Sequence, residues 1–439
     1  MSNDYIDQVN VRGEDYDILP YAEGDPAIRT DIDQNFTDAQ RAQARKNLGL
    51  ANRYGFRRAK ANSDPDARID YLYDAQGFTP AKMTFDANTG EGTFDYGDWE
   101  NFVNSIARPV MLKTNGEVDY ELDHEDQTKK KDGTSSDIAD TSYGGNAMVE
   151  FGSAFKWVKR YEDETYEYVV FSDVKYDDDY HAYAHTNDSG VVKDAFYLGM
   201  FTGPYNSNVL CSLATGNCAV SQSAETEITR AKANGSGYNI LYKSAWDYVA
   251  DLLTLISKSD NSQAAFGSGV DKRKNSITGP GETKEDGPFV GWNTGTKCVK
   301  VFWIENFWGN MWQRLAGCIN DNGTIKCKMT GPYCDTPVSA ADYTGYVDSE
   351  VTPSGTSGGY SQYNKCGDLI GNVPNKQSGS STTYLCDGGW YNNSQLDFAF
   401  VGASSANDAG IAGSRALSLT YLASHPNASY GSRLSYIPV

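Results

Sequence analysis

The chain has 439 residues, 39% hydrophobic and 22% charged, a globular balance that excludes a disordered or collagen-like protein. That length leaves room for roughly two to four domains. A net charge of −20 and a pI near 4.6 exclude a reader of phosphate backbones, because nucleic acid is held by clustered Lys and Arg. No apolar run reaches the ~18 residues of a membrane helix, so membrane insertion is not expected.

The N-terminus, MSNDYIDQVN, is acidic and has neither the basic start nor the apolar core of a secretory signal. Eight cysteines form no Cys-x-x-Cys pair and only four His are present, so neither a zinc site nor a cofactor is expected. The even count leaves disulfides and free thiols both open, and Cys211 and Cys218 could close a short loop. Tyr, at 30 residues, outnumbers Phe (17) and Trp (8) together, which points to a β-rich protein with contact surfaces.

In chain order, residues 1 to 35 read as an extended polar arm. A short helix follows: Thr37 and Gln40 form a capping box, and Gly49 stops it after Leu48. Its apolar stripe of Ala39, Ala42 and Leu48 is too weak to bury alone, so it is expected to pack on copies of itself or on a neighbour. Residues 56–146 read as a small intermediate domain with strands at Met83–Phe85 and Thr93–Tyr96, ending in a charged Ser/Thr/Gly-rich linker, 123–145.

From 147 the pattern is that of one compact domain. Phe155, Trp157, Lys159 and Tyr161 alternate with the residues between them, and after an acidic turn Tyr166, Tyr168 and Val170 alternate again, which predicts a hairpin. Asp177–Asp179 with His181 and His185 reads as an acidic loop rather than a metal site. Two helices are predicted. One runs from Glu225 to Ala233 and stops at Asn234-Gly235. The other runs from Ser244 to Ser257, opened by Ser244 and Asp247, and buries Trp246, Val249, Ala250, Leu253 and Ile256. Residues 259–295 read as loops. In VKVFWIENFWGNMWQ, Phe302, Trp303, Phe307, Trp308 and Trp312 predict a buried aromatic nucleus with a turn at Gly309. Its polar members Glu305, Asn306 and Asn310 then need buried partners.

The last fifty residues, Trp390–Val439, pair Phe398 with Phe400 and Leu417 with Leu419, each spaced to share one strand face. Small polar residues fill the gaps, so a rigid β scaffold with an adjustable surface is expected.

The Thr37-x-x-Gln40 start and Asn47-Leu48-Gly49 end resemble a short element of phage tail-fibre proteins. Glu305-Asn306-Phe307-Trp308-Gly309-Asn310-Met311-Trp312 resembles the framework of C-type-lectin-fold proteins, which include formylglycine-generating enzymes and the variable proteins of diversity-generating retroelements. Gly431-Ser432-Arg433-Leu434-Ser435-Tyr436 is similar to the close of those variable proteins, and Tyr391-Asn392-Asn393 and Phe398–Gly402 also fit, although Gly402-Ala403 stands where they often have Gly-Gly.

The resemblance implies an α+β chain: a C-type-lectin-like domain over 147–439, of mixed β-sheets with two helices, behind an extended arm and short helix in a 1–55 attachment and oligomerisation segment. It implies a non-enzymatic tail-tip adhesin, a homotrimer in the virion, joined to other tail proteins through its N-terminus and binding a host surface protein or glycan. The positions it aligns with the ligand are Ser404, Ser405, Asn407, Asp408, Arg415, Ser418, Thr420 and Tyr421, with Trp390, Tyr391 and Asn392 bordering them. The alternatives are a purely structural tail component and a formylglycine-type oxidase. The oxidase needs a close cysteine pair near the C-terminus, whereas Cys366 and Cys386 stand twenty positions apart and no cysteine follows.

Overall fold

The computed structural model describes residues 51–270, 277–352, 358–403 and 410–439, apart from the side chain of residue 363, together with the backbone of Gln8–Val11 and Glu14–Asp17. Two units separate, Met1–Ala51 and Asn52–Val439. In the first, Gln8–Val11 and Glu14–Asp17 pair antiparallel. The predicted helix at 37–49 lies outside the described residues.

The second unit is a strand-rich α+β structure. A four-stranded antiparallel sheet runs in the order Trp157–Glu162, Tyr166–Ser172, Arg53–Ala59, Ile69–Tyr73. The predicted hairpin supplies its first two strands, with Tyr161 opposite Tyr168. A six-stranded sheet places Leu434–Tyr436 between Tyr238–Ile240 and Phe196–Gly199, and continues through Gly145–Phe151, Ala107–Lys113 and Val118–Glu121. The largest sheet, of nine strands, contains Trp312–Asp321, Leu396–Val401, Leu417–Tyr421 and Gly388–Tyr391 side by side.

These pairings differ from the expected intermediate domain. Arg53–Ala59 pairs with Tyr166–Ser172, and Ala107–Lys113 pairs along its length with Gly145–Phe151, so the expected boundary at 146 falls inside a sheet. The physical reason is burial: the apolar residues of 56–146 cannot cover one another, and Phe56, Trp99, Val103 and Val110 complete a core shared with later strands. The expected linker is likewise folded. Asp123, Asp132 and Asp140 each accept backbone N–H groups two residues on, and Gln127 is buried, accepting from Lys300 Nζ at 2.8 Å.

Four α-helices lie in this unit among the described residues, Glu100–Ile106, Ala224–Lys232, Lys243–Ser257 and Ser262–Phe266; the first and last were not expected. Ala224–Lys232 is capped by Ser223, which accepts from Thr226 N. Lys243–Ser257 starts one residue before its predicted opening at Ser244, and its N-cap Tyr242 gives no side-chain cap. Asp247 instead pairs with Lys243. Every residue of this helix is buried, well beyond the predicted stripe.

The aromatic nucleus forms as expected. Phe302, Trp303, Phe307 and Trp308 are fully buried, and Trp246 stacks on Phe307 with centroids 4.1 Å apart. Gly309 has φ +90°, and a Cβ there would come within 3.1 Å of Gly269 and Val270 backbone. The polar members are all satisfied in part: Glu305 accepts from Gly281 N, Thr283 N and Thr283 Oγ1, Asn310 bonds Thr278 N and O, and Asn306 donates to Cys298 Sγ. All eight cysteines are free thiols.

His185, fully enclosed, has Nε2 3.0 Å from Gly152 O and its ring edge-on to Phe196. Burial pushes its pKa down to about 3, so the ring is neutral and Nε2 carries the proton. The unfolded chain protonates first as pH falls, so the stability linked to His185 is full above the ordinary histidine value and is lost toward about pH 3. The loss between about pH 8 and about pH 4 is on the order of 3 kcal/mol. Urea unfolding across that range should show this slope flattened in His185→Phe; an unchanged slope removes His185 as its source.

Candidate functional site

Strand register builds one continuous face on the nine-stranded sheet. Trp390 is opposite Ser418 across a parallel pair, Ser418 is opposite Phe400, and Phe400 is opposite Arg314. Directly paired residues project to the same side, so these four make one row. The Arg314 guanidinium lies over the Phe400 ring at 4.7 Å, and Trp312 meets Trp390 edge-on at 5.4 Å.

The register then shifts at a bulge between Phe398 and Phe400, so that Phe398 faces Tyr421, which emerges 37% exposed. Tyr421 stacks on His425, with centroids 4.7 Å apart at 16°, and packs against Tyr430 at 5.2 Å. Leu422 is exposed beside it. Ser418 and Thr420 share a hydroxyl–hydroxyl bond of 3.0 Å on the same face. The row therefore offers aromatic rims at both ends with short hydroxyls between. Such a surface can stack on a sugar ring or a peptide side chain and exchange hydrogen bonds with it. No family model and no curated protein matches this chain.

The expected contact residues divide. Trp390, Ser418, Thr420 and Tyr421 come together on this face, although Ser418 is only 5% exposed. Tyr391 and Arg415 do not join it. Tyr391 is one residue out of phase with Trp390 and is buried, and Arg415 is buried with Nη2 donating to Asp251 Oδ1 at 2.7 Å. Asn392 borders the face, but its side chain accepts from Ser394 N and Oγ and so closes a turn. Ser404, Ser405, Asn407 and Asp408 lie outside the described residues. His425 was missed, since nothing in Ser424-His425-Pro426-Asn427 sets it apart, whereas Trp312 is buried as predicted.

Elsewhere, a cleft of about 450 Å³ opens beside the six-stranded sheet near Arg108, Glu150 and Tyr197. Its charges satisfy each other: Arg108 Nε and Nη2 grip Glu150 at 2.9 and 3.1 Å, and Tyr197 OH donates to the same carboxylate. His181 and His185 diverge, His181 stacking on Tyr183 while His185 is buried. Among the described residues no group of three His, Cys, Asp or Glu is arranged around a metal position.

Proposed function

We propose that this chain is a phage tail-tip adhesin whose 147–439 region is a C-type-lectin-like domain, binding a host surface protein or glycan through the Trp390–Ser418–Tyr421 face. The observation that supports the reading is the register that sets Trp390 beside Ser418, with Thr420 bonded to the Ser418 hydroxyl and Tyr421 in an aromatic stack at the edge. The framework string Glu305–Trp312 and the Gly431–Tyr436 close support the same assignment. In this reading the chain acts as a homotrimer in the virion, held to other tail proteins through residues 1–55, and several weak contacts reinforce one another. Burial pushes the Cys366 and Cys386 thiols upward, which works against the thiolate that a formylglycine-type oxidase would need.

Tyr421→Ala should slow host adsorption by roughly tenfold or more, the size of an aromatic hot spot, without lowering the melting temperature. Adsorption at the wild-type rate by folded Tyr421→Ala and Thr420→Ala particles would sink the adhesin face and leave a structural tail component.

A further inference from the structure

Behind the same strands, between the helix Lys243–Ser257 and Val401, Ala416 and Leu417, lies a cavity of about 20 Å³. That is room for one particle of water or halide size. Its polar lining is Lys243, Asp247, Asn364, Asn372 and Arg415, each buried. Three donors on these residues have no hydrogen-bond partner among the described residues: Arg415 Nε, Arg415 Nη1 and Asn364 Nδ2. Only one acceptor among them, Asn372 Oδ1, is likewise unpartnered. Unpartnered buried donors are costly, and three around one small space call for an acceptor to fill it.

Electrostatics is compatible with this. Lys243, Arg160 and Arg415 meet Asp247 and Asp251 in buried ion pairs. Burial pushes the carboxyl of Asp387, which accepts from Arg415 N, upward, while Asp368 sits at the rim facing His181. A small anion beside Arg415 accepts from the N–H groups that its ion pair leaves over.

We propose that this cavity binds a single chloride-sized monovalent anion, which locks the helix Lys243–Ser257 to the base of the strands carrying the candidate face. The site is independent of the adhesin reading, because every residue in it is defined by burial and bonding alone.

The test is thermal unfolding of the full chain in sodium chloride against sodium gluconate at equal ionic strength. The melting temperature should rise by roughly 1–3 °C for each tenfold increase in chloride above its Kd and stay flat in gluconate. A bromide-soaked crystal should show an anomalous peak between Arg415 and Asn364. Asn364→Asp, which replaces a donor with a carboxylate, should remove the chloride dependence. Identical melting in both salts with no bromide peak in the cavity overturns the proposal and assigns the space to water. Chloride-dependent melting with bromide bound only elsewhere overturns it equally, and the wild-type measurements stand whether or not the variant folds.

Discussion

Asp251→Ala should lower the free energy of unfolding by about 3–5 kcal/mol, the cost of stripping a buried cation of its counter-charge. One carboxylate here serves three partners. Asp251 Oδ2 accepts from Arg160 Nε at 2.8 Å, Oδ1 accepts from Arg415 Nη2 at 2.7 Å, and Asn372 Nδ2 approaches both oxygens at 3.0 and 3.3 Å. Burial drives its carboxyl upward, yet Arg415 and Arg160 overcome that and hold it below the usual range, so it is ionised. Alanine removes the carboxylate that the two buried guanidiniums share. Replacing all three charges, as Arg160→Met, Asp251→Leu and Arg415→Met together, should recover much of the loss, because apolar packing often equals a buried ion pair. Urea unfolding of the two variants checks both statements. An alanine variant within about 1 kcal/mol of wild type would show that water already screens the group.

Local signals carried much of the fold, and the resemblance carried half of the candidate face. The alternation of Trp157–Tyr161 and Tyr166–Val170 sets a hairpin because each strand's pleat is written in its own residues. The helix Lys243–Ser257 and the nucleus at 302–312 were legible for the same reason. Sheet partnership across long separations was not: Arg53 meets Ser172, and Tyr197 meets Tyr436, with no local trace of either. Buried charge was equally hidden. Arg415 follows a Gly/Ser stretch and reads as a surface residue, since ionised side chains are seldom fully buried without a partner, and its partner Asp251 lies in a helix far back in the chain. Trp390 and Ser418 were placed by the resemblance, whereas His425 reaches Tyr421 through a turn whose geometry no spacing rule encodes.

The motif at the C-terminus gains a different meaning from its chemistry. Gly431–Tyr436 reads as the close of the domain, and within it Arg433 is fully buried and bonds no carboxylate among the described residues. Its Nη1 donates to Gly199 O at 2.7 Å and Met200 O at 3.3 Å, its Nη2 to Glu305 O at 2.8 Å and Asn306 O at 2.9 Å, and its Nε to Gln313 Oε1 at 2.8 Å. Gln313 in turn donates to the Asn306 and Phe307 carbonyls. The guanidinium fork thus pins the turn beneath the aromatic nucleus, where Phe302, Trp303 and Asn306 hold positive φ, to the strand Phe196–Gly199 and to the last strand of the chain.

Arg433→Met keeps most of the volume and strips its donor from Gly199 O, Glu305 O and Gln313 Oε1, while Met200 O and Asn306 O keep bonds from Glu305 N and Gln313 Nε2. At about 1–3 kcal/mol for each buried acceptor that loses its donor, the sum is about 3 kcal/mol or more, a large part of the stability of a domain. The expected result is a chain recovered mainly as aggregate or with near-ultraviolet aromatic dichroism lost. Arg433→Lys should fall between, because an ammonium reaches some of these oxygens but cannot span both pairs at once. A soluble Arg433→Met protein with wild-type dichroism and an unfolding free energy within about 1 kcal/mol of wild type would overturn the clamp.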